Sequence, residues 1–314
     1  MHSRRQFLGT TLSSLAMASL AAAAGPAFAA GFGQAAAAAG GGIARRAIPS
    51  SGEQIPVIGA GTSGSFEATP GTEKYEQLKL VLKEFFEGGG TVFDTSPNYG
   101  GADEVLGTLL AEGNWRPRCF LATKIAADSH EAAVAQWQES LRRLRTDKVE
   151  LLQVHNLRDW KRQLPYAQEL KAQGKTRYVG VTHYVASGLP ELEQVMRTQT
   201  LDFIQINYSP NATEAAKTVL PLARDKGIAV LINRAFDDGR LFPKVSGKPL
   251  PAWAGEAQVG SWSQVFLKFA LSAPAVTAVI PATSRPDRQL DQFKAGLGPM
   301  LSPAQQQDVI RAVA

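Results

Sequence analysis

The sequence predicts an α/β protein built as one (β/α)8 TIM barrel, on three observations. Eight short apolar runs recur along the chain, amphipathic segments of helical period separate them, and no shift in composition marks a second domain. That alternation is the pattern of parallel strands joined by crossover helices, and eight such units close a cylinder. A doubly wound open sheet would show fewer units or an obvious second domain.

In chain order, the first segment is a leader. Arg4 and Arg5 sit in SRRQFLG, an apolar stretch runs from Leu8 to Ala24, and Ala27-Phe28-Ala29 forms an A-x-A cleavage site. This predicts a twin-arginine signal peptide over 1–29, hence the twin-arginine translocation machinery as a partner and a periplasmic or otherwise exported destination. Gly25 and Pro26 interrupt the segment and argue against a membrane span, and no Cys near the cleavage site supports a lipid anchor. Residues 30–43, largely GFGQAAAAAGGG, read as a flexible linker with nothing to bury. The barrel domain is then 44–314. Its ARRAIPSSGEQIPV predicts a small hairpin turning at Ser50-Ser51-Gly52 and closing the barrel floor.

The eight strand runs are IPVIGAG (55–61), TVFD (91–94), CFLATK (119–124), VELLQVH (149–155), RYVGVT (177–182), DFIQIN (202–207), IAVLIN (228–233) and VTAVIP (276–281). Helical patterns such as YEQLKLVLKEFFEGG, HEAAVAQWQESLRRLR, LPELEQVMRTQ and SQVFLKFALSAP lie between them. LSPAQQQDVIRAVA starts a last helix at Ser302-Pro303 that packs on the exterior.

Composition narrows the function classes. Cleavage of the leader removes two arginines and no acidic residue, so the formal net charge falls from +5 to +3. That charge is mild and no Lys/Arg run occurs downstream, so nucleic acid is not an expected partner. One cysteine, Cys119, excludes a disulfide framework, and four histidines without H-E-x-x-H or C-x-x-C give no metal signature. Nothing in the sequence sets an oligomeric state.

GAGTSG, at Gly59, Gly61 and Gly64, satisfies the dinucleotide pattern G-x-G-x-x-G after a strand. Pro70 and Gly71 delay the helix that should open at the last glycine, and Asp94 lies about thirty positions on rather than about twenty. The glycines instead let the first strand turn at the barrel mouth.

A barrel places its chemistry at the carboxyl ends of its strands. Asp94 ends strand two with Tyr99 five residues on, Lys124 ends strand three, and His155 ends strand four. Each alone has a structural reading: a turn cap, a rim packing residue, a solvated lysine, a satisfied core histidine. Together they make a reaction centre. Tyrosine has a pKa of about 10, and a neighbouring ammonium stabilises its phenolate and makes it a better acid. Asp94 would hold Lys124 protonated, and a neutral His155 would hydrogen-bond and orient a substrate oxygen. A hydride source is missing, since no side chain supplies one.

FDTSPNYGGADEVLG, with ATK on strand three and LLQVHN on strand four, resembles the aldo/keto reductases, and the resemblance runs from Ile55 to Phe293. It implies a barrel enzyme that reduces a small-molecule aldehyde or ketone with NADPH, Asp94, Tyr99, Lys124 and His155 being the catalytic four. It also implies cofactor contacts at Gly61 and Thr62, at Thr182 and His183 where the family has Ser-Asn, and at Gln205. His183 is a departure. A larger one follows in VLINRAF, where Asn233 stands in place of the aromatic that stacks on the nicotinamide; Phe236 or Tyr208 could take over that role. Arg234 could pair with the pyrophosphate or with a rim carboxylate. IPATSRPDRQLDQF resembles the family segment after strand eight, with Ala282 for Gly and Gln292 for Asn.

The residues of that last segment read the same way unaided. Loops after strands seven and eight commonly bind phosphate at a helix N-terminus. Thr283 and Ser284 bring hydroxyls, and Arg285 and Arg288 bring planar cations suited to phosphate. This favours NADPH, with NADH possible. Two rival functions use the same scaffold: a cofactor-binding sensor or accessory protein with little turnover, and a Schiff-base lyase with Lys124 as nucleophile. Phe66, Trp160, Phe242 and Trp253 are candidate substrate walls, suggesting aromatic or apolar carbonyls, and 244–256 is a candidate covering loop.

Overall fold

The structure is a computed structural model in which residues 42–314 are described. The leader and most of the linker predicted above lie outside the described residues. The chain first forms a hairpin, β1 (Arg45–Ala47) against β2 (Gln54–Pro56), with Arg46 opposite Ile55. Its turn uses Gly52 at φ +77°, a left-handed conformation that glycine adopts without strain.

Eight parallel strands follow: β3 (Ala60–Gly61), β4 (Val92–Asp94), β5 (Phe120–Ile125), β6 (Val149–Val154), β7 (Thr176–Thr182), β8 (Phe203–Asn207), β9 (Ala229–Asn233) and β10 (Ala278–Val279). They lie in sequence order. The seam between β10 and β3 closes through the parallel bridges Ile58–Val279 and Gly61–Ala282. There Gly59 N donates to Val279 O at 2.8 Å and Gly61 N to Pro281 O at 3.0 Å. Each of the eight predicted runs supplies one strand of this cylinder.

The helices are α1 (Glu73–Glu87), α2 (Ala102–Glu112), α3 (His130–Arg143), α4 (Trp160–Ala172), α5 (Leu189–Thr198), α6 (Val219–Asp225), α7 (Leu241–Lys244), α8 (Trp262–Leu271), α9 (Pro286–Lys294) and α10 (Pro303–Val313). Their starts are written in the chain. Thr72, Ser129, Ser261 and Ser302 each accept a backbone N–H in the first turn of α1, α3, α8 and α10, and Ser302 with Gln305 makes a capping box. On α1 the buried residues Tyr75, Leu78, Val81, Leu82, Phe85 and Phe86 keep the three-to-four spacing of one helix face.

Strand period sets the interior. Side chains alternate between faces of a strand, so every second residue points inward. The lower inward positions are apolar: Val92, Phe120, Ala122, Leu151, Tyr178, Phe203, Ala229, Leu231 and Ala278 form one cluster. Ile48 and Ile55 of the hairpin join it, which makes the hairpin the plug of the floor. Two residues further along the same inward register the chain places Asp94, Lys124, Gln153, Gln205 and Asn233. The barrel is therefore filled with hydrocarbon below and polar groups at the top. Ile48→Ala should cost about 2–5 kcal/mol, because the buried plug loses its contacts and leaves a cavity; a lowered denaturant midpoint at unchanged slope would show it.

Candidate active site

The carboxyl ends of the strands surround a cavity of about 1090 Å³. Asp94 and Lys124 meet at its base: Lys124 Nζ donates to Asp94 Oδ2 at 2.5 Å and to Thr95 O at 2.8 Å. Both side chains are almost wholly out of solvent, Lys124 at 0% and Asp94 at 3% exposure, so each needs the other to stay charged. Burial alone would drive the Lys124 ammonium down, but Asp94 and Tyr99 beside it hold it above its ordinary value. The Tyr99 ring lies 5.0 Å from Lys124 Nζ and edge-on to His155 at 5.6 Å between ring centres. The structure thus brings the four rim residues together. It also weighs the two effects on the phenol: burial pushes Tyr99 up, Lys124 pulls against it, and burial wins.

His155 is the clearest case. Burial first, then the Lys124 and Arg158 cations, press its pKa down to about 3, so the imidazole is neutral. Ser96 Oγ lies 3.1 Å from Nδ1. A hydroxyl donating there leaves the ring proton on Nε2, able to donate to a substrate oxygen. Activity should therefore show no histidine inflection between about pH 5 and 8. The group takes up its proton only as pH falls toward about 3, and a pH profile of kcat/KM would reveal any such inflection.

Of the residues expected to contact a cofactor, Gly61, Thr62, Thr182, Gln205, Arg234 and Gln292 line the cavity. Gly61 has no room for a side chain, since a Cβ there would stand 2.8 Å from Ile280 O. Thr182 Oγ1 accepts from Asn156 N at 2.9 Å. Arg234 lies in the left-handed region at φ +50°. It pairs with Asp238 at 3.0 Å and lays its guanidinium 4.2 Å from the centre of the Tyr184 ring. His183, Thr283, Ser284 and Arg285 are not among the lining residues. The His183 ring packs over Gly188, with Nδ1 3.2 Å from Val185 O. Thr283 Oγ1 accepts from Arg285 N, and Arg285 spends its guanidinium on Asp287 at 2.6 Å. Arg288 is the cation of that segment that reaches the cavity.

The substrate walls differ from expectation. Phe242 lines the cavity, but Phe66 is fully buried against Phe93. Trp160 and Trp253 turn their indoles to Glu191 and Asp308. The 244–256 loop is tied to the C-terminal helix α10, with Lys248 Nζ on Ala312 O at 2.9 Å, and none of its residues lines the cavity. A Trp or Phe on a loop finds the nearest apolar surface, which here is the barrel exterior. Tyr208 stacks on Phe269 inside the core, while Phe236 does reach the cavity. The sequence pattern did not single out Ser63, Asn98, Asn156, Tyr184, Ser261 and Trp262, all of which line the space. The signal for Asn98 and Asn156 was adjacency: each neighbours a catalytic candidate on the same rim.

Comparison with known proteins bears on the family and the fold. The profile of the aldo/keto reductase family matches residues 57–309. Aldo-keto reductase YhdN of Bacillus subtilis is 28% identical over 191 residues, covering 56% of this chain and 56% of its own length. L-galactose dehydrogenase of Arabidopsis thaliana is 28% identical over 206 residues, covering 60% of this chain and 64% of its own length. The chain thus spans less than two thirds of these relatives. In fold it is similar to an aldo/keto reductase of Klebsiella pneumoniae solved with NADP and acetate, at 22% identity and a TM-score of 0.67, covering 83% of this chain and 93% of that one.

Proposed function

The chain belongs to the aldo/keto reductase family, and on that premise we propose that it reduces an aldehyde or ketone with NADPH, Tyr99 giving the proton. One observation carries the reading: a phenol, an ammonium clamped by a buried carboxylate, and a neutral imidazole share one end of a cavity large enough for a cofactor and a substrate. A reduced nicotinamide, when bound, would supply the hydride that no side chain provides. The residues fit such a group. Gln292 lines the cavity with its Oε1 buried and unpartnered among the described residues. Arg234 and Arg288 bring cations for its phosphates. His155 orients the substrate oxygen, Tyr99 Oη releases its proton to that oxygen as negative charge develops, and Lys124 stabilises the phenolate left behind.

The substrate reading shifts with the walls. Asn98 and Asn156 are next to Tyr99 and His155 in the chain, on the same rim, and Ser63 lines the same cavity. Among the described residues neither the Asn98 side chain nor the Ser63 hydroxyl makes a hydrogen bond to the protein. Amides and hydroxyls on the cavity wall offer hydrogen-bond partners to a carbonyl compound that carries hydroxyl groups. The relative named L-galactose dehydrogenase supports such a substrate. Titration of intrinsic fluorescence with NADPH and NADH, then loss of 340-nm absorbance with glyceraldehyde, butanal and benzaldehyde, tests the whole reading. Expected are tighter binding of NADPH and glyceraldehyde as the best substrate; tight binding without turnover of any carbonyl would favour the sensor function.

The leader supports a further part of the proposal, that the protein folds on its cofactor in the cytoplasm and leaves through the twin-arginine route. Replacing Arg4 and Arg5 by lysine should hold the protein in the cytoplasmic fraction. Exported protein free of nucleotide and unable to bind it would defeat the idea.

A further inference from the structure

The top of the barrel interior holds more than the catalytic four. Asp94 Oδ1 accepts two hydrogen bonds, from Gln153 Nε2 at 3.0 Å and from Gln205 Nε2 at 2.8 Å, while Oδ2 takes Lys124. Gln205 Nε2 also donates to Gln153 Oε1 at 3.2 Å. The remaining atom of that amide, Gln205 Oε1, accepts from Asn233 Nδ2 at 3.3 Å, and Asn233 Nδ2 is anchored on His183 O at 3.3 Å. A chain of amides therefore runs across the cylinder from β9 to β4. Each link fixes the direction of the next: Asn233 can only donate to Gln205 through its NH2, so Gln205 must present its own NH2 to Asp94. Gln153 and Gln205 are buried, and the amide nitrogen and oxygen of each make a hydrogen bond.

From this geometry we infer that Gln153 and Asn233 are positioning residues, which act with Gln205 to hold the Asp94 carboxylate against Lys124, so that the Lys124 ammonium stays placed beside Tyr99. The inference rests on the reductase reading and deepens it. It also gives Asn233 a purpose: the residue that replaces a stacking aromatic instead sets which way Gln205 points. Two amide donors on Oδ1 fix the plane of the carboxylate, and so fix where Oδ2 meets the amine.

The test is the pH dependence of wild type, Gln153→Met, Asn233→Leu and the double variant, with NADPH affinity and thermal midpoint measured on each. The charged and titratable groups facing the phenol are Lys124 from β5, Asp94 from β4, Arg234 after β9 and the neutral His155 after β6. Loss of a donor lets the Asp94 carboxylate turn, pulls the Lys124 ammonium away from the phenol and weakens its stabilisation of the phenolate. The expected result is a fall in kcat/KM of about tenfold or more. The alkaline limb should move to higher pH by about half a unit or more, with NADPH affinity in Gln153→Met held within about twofold. The double variant should fall short of the product of the singles, as members of one chain do. Gln153→Glu should recover rate as pH falls, because a protonated carboxyl can donate where an ionised one repels. An unmoved limb, or a loss of rate with no shift of the limb in both single variants, overturns the inference; should Gln153→Met not fold, Asn233→Leu at the cavity edge decides the question by the same limb. A wild type that binds NADPH but reduces no carbonyl would instead refute the reductase reading and the inference with it.

Discussion

Tyr99→Phe is expected to cut carbonyl reduction by about two to four orders of magnitude while NADPH still binds. The variant keeps the ring that packs 5.0 Å from Lys124 Nζ and edge-on to His155, so the cavity wall survives and only the proton is lost. The neighbours cannot compensate. His155 is neutral, with a pKa of about 3, and Lys124 holds its proton too strongly and spends two of its donors on Asp94 and Thr95 O. Steady-state rates at saturating NADPH, with affinity from fluorescence titration, separate the effects. Retention of more than about a tenth of the wild-type rate would remove Tyr99 from the role of acid.

Lys124→Met should carry the next largest effect, on stability as well as rate. It strands Asp94, 3% exposed, as a buried carboxylate with no cation, and breaking a pair in this way costs about 3–5 kcal/mol. The catalytic loss follows from the phenolate having no counter-charge. Asp94→Asn in the same chain should return most of the stability, because the charge no longer needs a partner, and none of the activity. Denaturant midpoints for the two single variants and the double one form a cycle; additivity within about 0.5 kcal/mol would mean the two groups do not act as a pair.

Much of the site could be read in the chain because barrel chemistry has an address. Asp94, Lys124 and His155 each stand at the end of an apolar run, and Tyr99 lies within one loop of them, so strand ends alone bring them to one rim. The fold was legible for the same reason, since period two and period three-to-four alternate cleanly. One of the helices that the pattern left unquoted has a physical disguise: α4 carries Pro165 in its interior, which interrupts the helical period. What the chain could not disclose is which inward residue meets which across the cylinder. Gln153 and Asn233 look like ordinary polar positions of a strand, and only closure of the barrel puts one amide on Asp94 and the other on Gln205. The same limit applies to the walls, where Trp160 and Trp253 had equally good surfaces to join elsewhere.

The seam has a consequence for how the molecule is made. Residues 57–61 find their second neighbour only at 279–282, so a ribosome must deliver nearly the whole polypeptide before the cylinder can shut. Until then β3 and β9 are bare edges, each offering unpaired peptide groups to any passing strand. A nascent chain released short of Val276 should aggregate rather than persist as a smaller barrel, because the last turn of sheet is what shuts both edges.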